Sequence, residues 1–161
     1  MSVHKYSAGL SNVGSYQVSG RPWITGSSNL DANKVHMIEF PRVTKSITII
    51  NNNASNGEDI RVHFQSGSAA IVEPGDNAGG TAIADATSDV ILHNHFITVP
   101  AGFGSLTMDV KCSKVFVSNG TATANLKYQV FAELTQIPTG SMFNLTGSGI
   151  CGDHRARYQE S

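Results

Sequence analysis

Asn125–Leu134 reads NLKYQVFAEL. Leu126, Tyr128, Val130, Ala132 and Leu134 fall on alternate positions. That period of two lays one apolar face along an extended strand. It is the longest such run in the chain, and its neighbours repeat the pattern. In Ser105–Cys112 (SLTMDVKC), Leu106, Met108, Val110 and Cys112 face one way and Thr107, Asp109 and Lys111 the other. In Asp59–Gln65 (DIRVHFQ), Ile60, Val62 and Phe64 share a face opposite Arg61 and His63.

Further strands are expected over Val35–Phe40, which Pro41 ends, over the β-branched run Ser46–Ile50, over His95–Val99 and over Val115–Val117. The turns between them are marked by Asn, Gly and Pro. NNNASNGE at residues 51–58 reads as a hairpin loop, because Asn-Gly tolerates positive φ. Pro100-Ala101-Gly102 reads as a turn. Residues 66–89 form the largest irregular stretch, with turn signals at Pro74-Gly75-Asp76 and Gly79-Gly80. No segment carries a convincing helical period. Short strands with frequent turn signals predict an all-β sandwich or jelly roll. Its body is expected over residues 35–137, between an extended N-terminal arm (1–34) and an extended C-terminal tail (138–161).

The chain has 161 residues, enough for one domain with a sizeable core. Charged residues make up 14% and the formal net charge is −1, against about 25% charged in an average soluble domain. That balance gives no electrostatic drive toward nucleic acid or an anionic membrane. It suits a surface covered by neighbours. No apolar run approaches the ~20 residues of a membrane span, and the N-terminus lacks the apolar run of a signal peptide. Cys112 reads as a small buried hydrophobe and Cys151 lies in the Gly-rich tail. Nothing in their spacing asks for a disulfide.

The ends differ from the middle. SAGLSNVGSYQVSGRPWITGS at residues 7–27 is nearly free of charge, yet keeps Leu10, Val13, Tyr16, Val18, Trp23 and Ile24. The tail keeps Met142, Phe143 and Leu145 among Gly, Ser and Thr. Apolar side chains on such segments are expected to dock, so these nine residues are the candidate interface. Trp23 carries two readings: an interface anchor, since Trp dominates binding hot spots, or a cap on its own sandwich.

Other constellations are weaker. His93 and His95 form an H-x-H pair that in a strand points both rings to one face, a pattern that can serve a metal. No Cys cluster or H-E-x-x-H accompanies them, and the expectation is no metal and no cofactor. Asp76, Asp85 and Asp89 read as loop-solvating carboxylates. The glycines of 75–80 lack the Gly-Lys-Ser/Thr of a phosphate loop, and no G-x-S-x-G is present. The sequons at Asn53, Asn119 and Asn144 read as turn or strand residues. Arg155 and Arg157 beside Tyr158 make a small basic spot of the kind a solvated tail carries. No enzyme activity is expected.

The segments GLSNVGSYQVSGRPWITGS, FPRVTKSITIINNN, DIRVHF and AELTQIPTGSMFNLTGSG together resemble a family of virion structural proteins of tailed bacteriophages, notably those of cyanobacteria. The resemblance spans most of the chain, is strongest at the ends and supplies no catalytic residues. It implies a virion location after synthesis in the host cytoplasm. The expected role is a capsid cement or decoration protein, working as a homotrimer, or failing that a dimer, on the major capsid protein or other virion proteins. The alternatives are a neck, tail, baseplate or fibre-anchoring component and, less favoured, a receptor- or carbohydrate-binding module. Neither nucleic acid nor membrane is an expected partner.

Overall fold

A computed structural model of the chain describes residues 20–64, 81–82 and 96–142. Among them, nine strands and one short 3₁₀ turn follow in order: β1 (Arg21–Leu30), β2 (Lys34–Glu39), β3 (Thr44–Asn51), β4 (Ile60–His63), β5 (Thr81–Ala82), β6 (Ile97–Val99), β7 (Ser105–Met108), β8 (Lys114–Asn119), β9 (Leu126–Leu134) and the turn Thr139–Ser141. They form a four-stranded sheet of order β1-β9-β3-β7 and a five-stranded sheet of order β5-β2-β8-β4-β6. Every pairing is antiparallel.

The pairing has a simple logic. β1 pairs with β9, β2 with β8, β3 with β7 and β4 with β6. These are the rungs of one long antiparallel ribbon folded back on itself. Alternate rungs fall in opposite sheets, and β9–β3 and β8–β4 close the two sheets. A ribbon rolled in this way is a jelly roll, here with the two-residue β5 added at one edge.

The core lies between the sheets. Ile47, Ile49, Val130 and Ala132 from the four-stranded sheet meet Ile38, Ile60, Val62, Val115 and Val117 from the five-stranded one, all essentially without solvent exposure. Leu106, Met108 and Val110 pack against this cluster and Cys112 is buried, the one-faced arrangement that the SLTMDVKC alternation predicts. The strand itself ends at Met108. Thr44 takes over beyond it: its backbone N–H donates to the Cys112 carbonyl, and its hydroxyl donates to the Val110 carbonyl and accepts from the Cys112 N–H.

Two sequence expectations need correction. Residues 51–58 do not turn a hairpin. β3 belongs to one sheet and β4 to the other, so the loop is a crossover over one end of the sandwich. Asn-Gly still supplies the positive φ expected of it, at Gly57 (φ 87°). The second correction concerns the arm. The sandwich begins at Arg21 and not at Val35, because β1 is a full strand of the four-stranded sheet. Its alternation, Trp23 inward and Ile24 outward, is blurred in the sequence by Thr25, Gly26, Ser27 and Ser28, which are too small to declare a face.

Candidate interaction surface

The two sheets treat their outer faces differently. In β8 consecutive residues Val115–Asn119 are all buried, so Phe116 and Ser118 are covered on the outer face as Val115 and Val117 are on the inner. His63 stacks on Phe116 with ring centroids 5.5 Å apart and lies 3.1 Å from the Ser118 hydroxyl through Nε2. Beside them Arg61 sits 4.6 Å over the Phe96 ring, a cation–π contact. Histidine beside a serine hydroxyl is also the geometry of a base and a nucleophile. Here both residues are buried, and the pair joins β4 to β8 across the sheet.

The four-stranded sheet keeps its outer face open. In β9 buried and exposed residues alternate strictly from Leu126 to Ala132. Ile24 of β1 stands directly opposite Phe131 of β9, which stands opposite Thr48 of β3. Ile24 is 72% exposed and Phe131 36%, so two large apolar side chains share one row on the outside. Next to them an open groove of about 520 Å³ runs past Gly26 and Ser28 of β1, Lys127 and Gln129 of β9, and Asn52. Gly26 lets β1 lie this close to β9: a Cβ there would stand 2.6 Å from the Tyr128 carbonyl oxygen.

The end of this face is held by a buried amide network. Asn51 donates through Nδ2 to the carbonyls of Glu58 and Val99. Its Oδ1 accepts from the backbone N–H and the side-chain amide of Asn53. Asn53 in turn donates to the Lys127 carbonyl and accepts from the Lys127 N–H. These bonds satisfy the backbone of the crossover and fix Asn52 at the groove between them. Asn119 does the same work at a second loop, reaching the Leu30 and Thr123 carbonyls and capping Thr121. Both asparagines head sequons, and in the folded domain both amides are buried and engaged, in keeping with their reading as structural residues.

The edge of this sheet is as open as its face. The Lys127 carbonyl accepts from Asn52, which shows that odd-numbered residues of β9 turn their backbone toward β3. Even-numbered ones therefore turn toward β1. By register, Arg21, Trp23, Thr25 and Ser27 take those bonds. Pro22, Ile24 and Gly26 point their backbone groups away from the sheet. Proline fits there, since the donor it lacks is one β9 never calls on. Among the described residues nothing pairs with this edge. From Pro22 to Leu30 it carries no formal charge. The other sheet ends instead in strands of two and three residues, which offer little to bind.

The candidate residues thus separate. Trp23 is half-buried and packs edge-on against Phe40, centroids 5.2 Å apart, so it caps its own sandwich. Ile24, its neighbour, points outward. Met142 follows the 3₁₀ turn and is half-buried. Leu10, Val13, Tyr16, Val18, Phe143 and Leu145 lie outside the described residues, as do His93, His95 and Cys151. Phe131 was missed, because its place on the polar side of the β9 alternation gave no hint of a partner in β1. No protein-family model matches the chain, and no curated protein matches it. Among the described residues, no three or more His, Cys, Asp or Glu side chains gather where they could hold a metal.

Proposed function

We propose that the protein is a structural subunit of a tailed-phage particle, most simply a cement or decoration protein that joins capsid subunits. The observation that carries this reading is the uncharged β1 edge of the four-stranded sheet, open among the described residues, beside that sheet's open outer face. A strand from a neighbour laid against such an edge gains main-chain hydrogen bonds, while its side chains enter the adjoining groove. Isolated soluble domains protect a long edge with charge, proline or a bulge. Here Pro22 and the irregularity between Ser27 and Leu30 leave the stretch between them available. The jelly roll is a fold that viral capsid domains use, together with lectins and cupins. The resemblance of the terminal segments to phage structural proteins is the reason the capsid use is proposed over the others.

Copy number tests this. Quantitative mass spectrometry of purified particles is expected to find hundreds of copies for a decoration protein. Some tens would move the protein to a neck or tail ring, and its absence from particles would overturn the proposal.

A further inference from the structure

We infer that the β1 edge is self-complementary and joins two copies of this chain through a two-fold axis at Ile24, making one continuous sheet of order β7-β3-β9-β1-β1-β9-β3-β7. The inference deepens the assembly reading above and rests on it for the need of a partner, while naming what that partner is.

Register sets the pairing. The outward backbone groups belong to Pro22, Ile24 and Gly26. An antiparallel pairing centred on Ile24 sets Ile24 opposite Ile24 of the second copy and Pro22 opposite Gly26 of the second copy. Ile24 then exchanges N–H···O=C bonds with its counterpart in both directions. Each Gly26 N–H donates to the facing Pro22 carbonyl. Proline lacks a donor, so the facing Gly26 carbonyl gains no bond there. With no Cβ at Gly26, nothing crowds the ring that faces it. The straight part of β1 ends at Ser27, where the register with β9 slips, so the pairing stops where the strand bends away.

The side chains agree. Across the axis the outer face presents Phe131, Ile24, Ile24 and Phe131 in one row, joining two small apolar patches into one continuous strip in which the two Ile24 side chains shield each other. No formal charge lies between Pro22 and Leu30 on either copy, so no like charges meet. An isologous contact of this kind closes at two copies. Two-fold order at this surface corresponds to the dimer that the sequence reading ranks after a trimer.

The full chain tests it by sedimentation equilibrium, beside the variants Ile24→Lys and Ile97→Lys. Ile97 is the matching control, an apolar residue 46% exposed at the edge of the other sheet. The wild type is expected to be a dimer. Ile24→Lys sets two ammonium groups face to face and should raise the dissociation constant roughly tenfold or more, while Ile97→Lys leaves it unchanged. Nitroxide labels on Thr48→Cys, in a chain also carrying Cys151→Ser, report the register. Thr48 lies five strand spacings from its counterpart, about 24 Å between Cα atoms.

A wild-type monomer at high micromolar concentration overturns the inference. So does a dimer that Ile24→Lys leaves intact, one that Ile97→Lys dissociates, or a label separation beyond about 40 Å. A dimer with these properties in a protein absent from particles would sustain the pairing and overturn the phage reading alone.

Discussion

The two sheets of this jelly roll are built to different ends, and two phenylalanines show it. Phe116 lies on the outer face of the five-stranded sheet and is 1% exposed; Phe131 lies on the outer face of the four-stranded sheet and is 36% exposed. The first stacks on His63 within a covered layer. The second stands beside Ile24 in the open. One sheet buries residues on both faces of its central strand β8, and among the described residues its edge strands are only two and three residues long. The other has one buried face, one open face and, among the described residues, a long unpaired edge. A sandwich this asymmetric has its stability on one side and its capacity for contact on the other.

The sharpest way to break that comparison is to truncate both rings. Phe116→Ala should lower the free energy of unfolding by about 3–5 kcal/mol, as for other fully buried aromatic side chains. Phe131→Ala should cost below about 1 kcal/mol under conditions where the protein is monomeric. Urea denaturation of both variants reads the difference, and equal losses would mean that the outer faces are alike.

Two further variants address the ties between the sheets. Asn51 sits in β3 and donates to the Val99 carbonyl in β6, across the sandwich. Asn51→Ala would strand the Glu58 and Val99 carbonyls and two Asn53 donors, at about 2–3 kcal/mol. It should also loosen the crossover beside the groove, visible as faster amide exchange at Asn53. Tyr128 makes the second tie, its hydroxyl 2.8 Å from Nδ1 of the fully buried His36. Tyr128→Phe should cost roughly 1–2 kcal/mol by leaving that imidazole nitrogen without this bond.

Burial also pushes the Tyr128 hydroxyl well above its ordinary range. A group whose folded pKa is raised favours the folded state while protonated. Its contribution is whole below the unfolded value near 10 and is lost as pH rises beyond it. Thermal stability should therefore fall above about pH 10, less steeply in Tyr128→Phe, and a spectroscopic titration of the four tyrosines should leave one un-ionised until the protein unfolds. The smallest effect belongs to Ile24→Lys, which should change monomer stability by no more than about 0.5 kcal/mol because the side chain touches little of its own domain.

Much of the asymmetry is written in the sequence. β9 alternates residue by residue, as a strand with one open face must, whereas Val115–Asn119 runs VFVSN without a break in burial, as a strand covered twice does. What could not be read was β1. Its inward positions hold Trp23, Thr25 and Ser27 and its outward ones Ile24, Gly26 and Ser28, so size and polarity carry no period. The strand is specified by its ladder with β9 and by Trp23 on Phe40, both non-local. The crossover at residues 51–58 was hidden for a similar reason. Asn-Gly fixes a local backbone angle but says nothing about which sheet the chain enters next. Within the candidate surface, Ile24 was legible as an apolar residue without a local partner. Phe131 became visible only once register placed it alongside.

Whether a neighbour binds the outward backbone of β1 is tested most directly by amide hydrogen exchange followed by NMR across a concentration series. Trp23, Thr25 and Ser27 are bonded to β9 and should be protected at every concentration. The Ile24 and Gly26 amides should exchange freely in dilute protein and become protected, together, over the range in which the mass doubles. If they stay fast while the protein assembles, the neighbour binds elsewhere and the account is wrong.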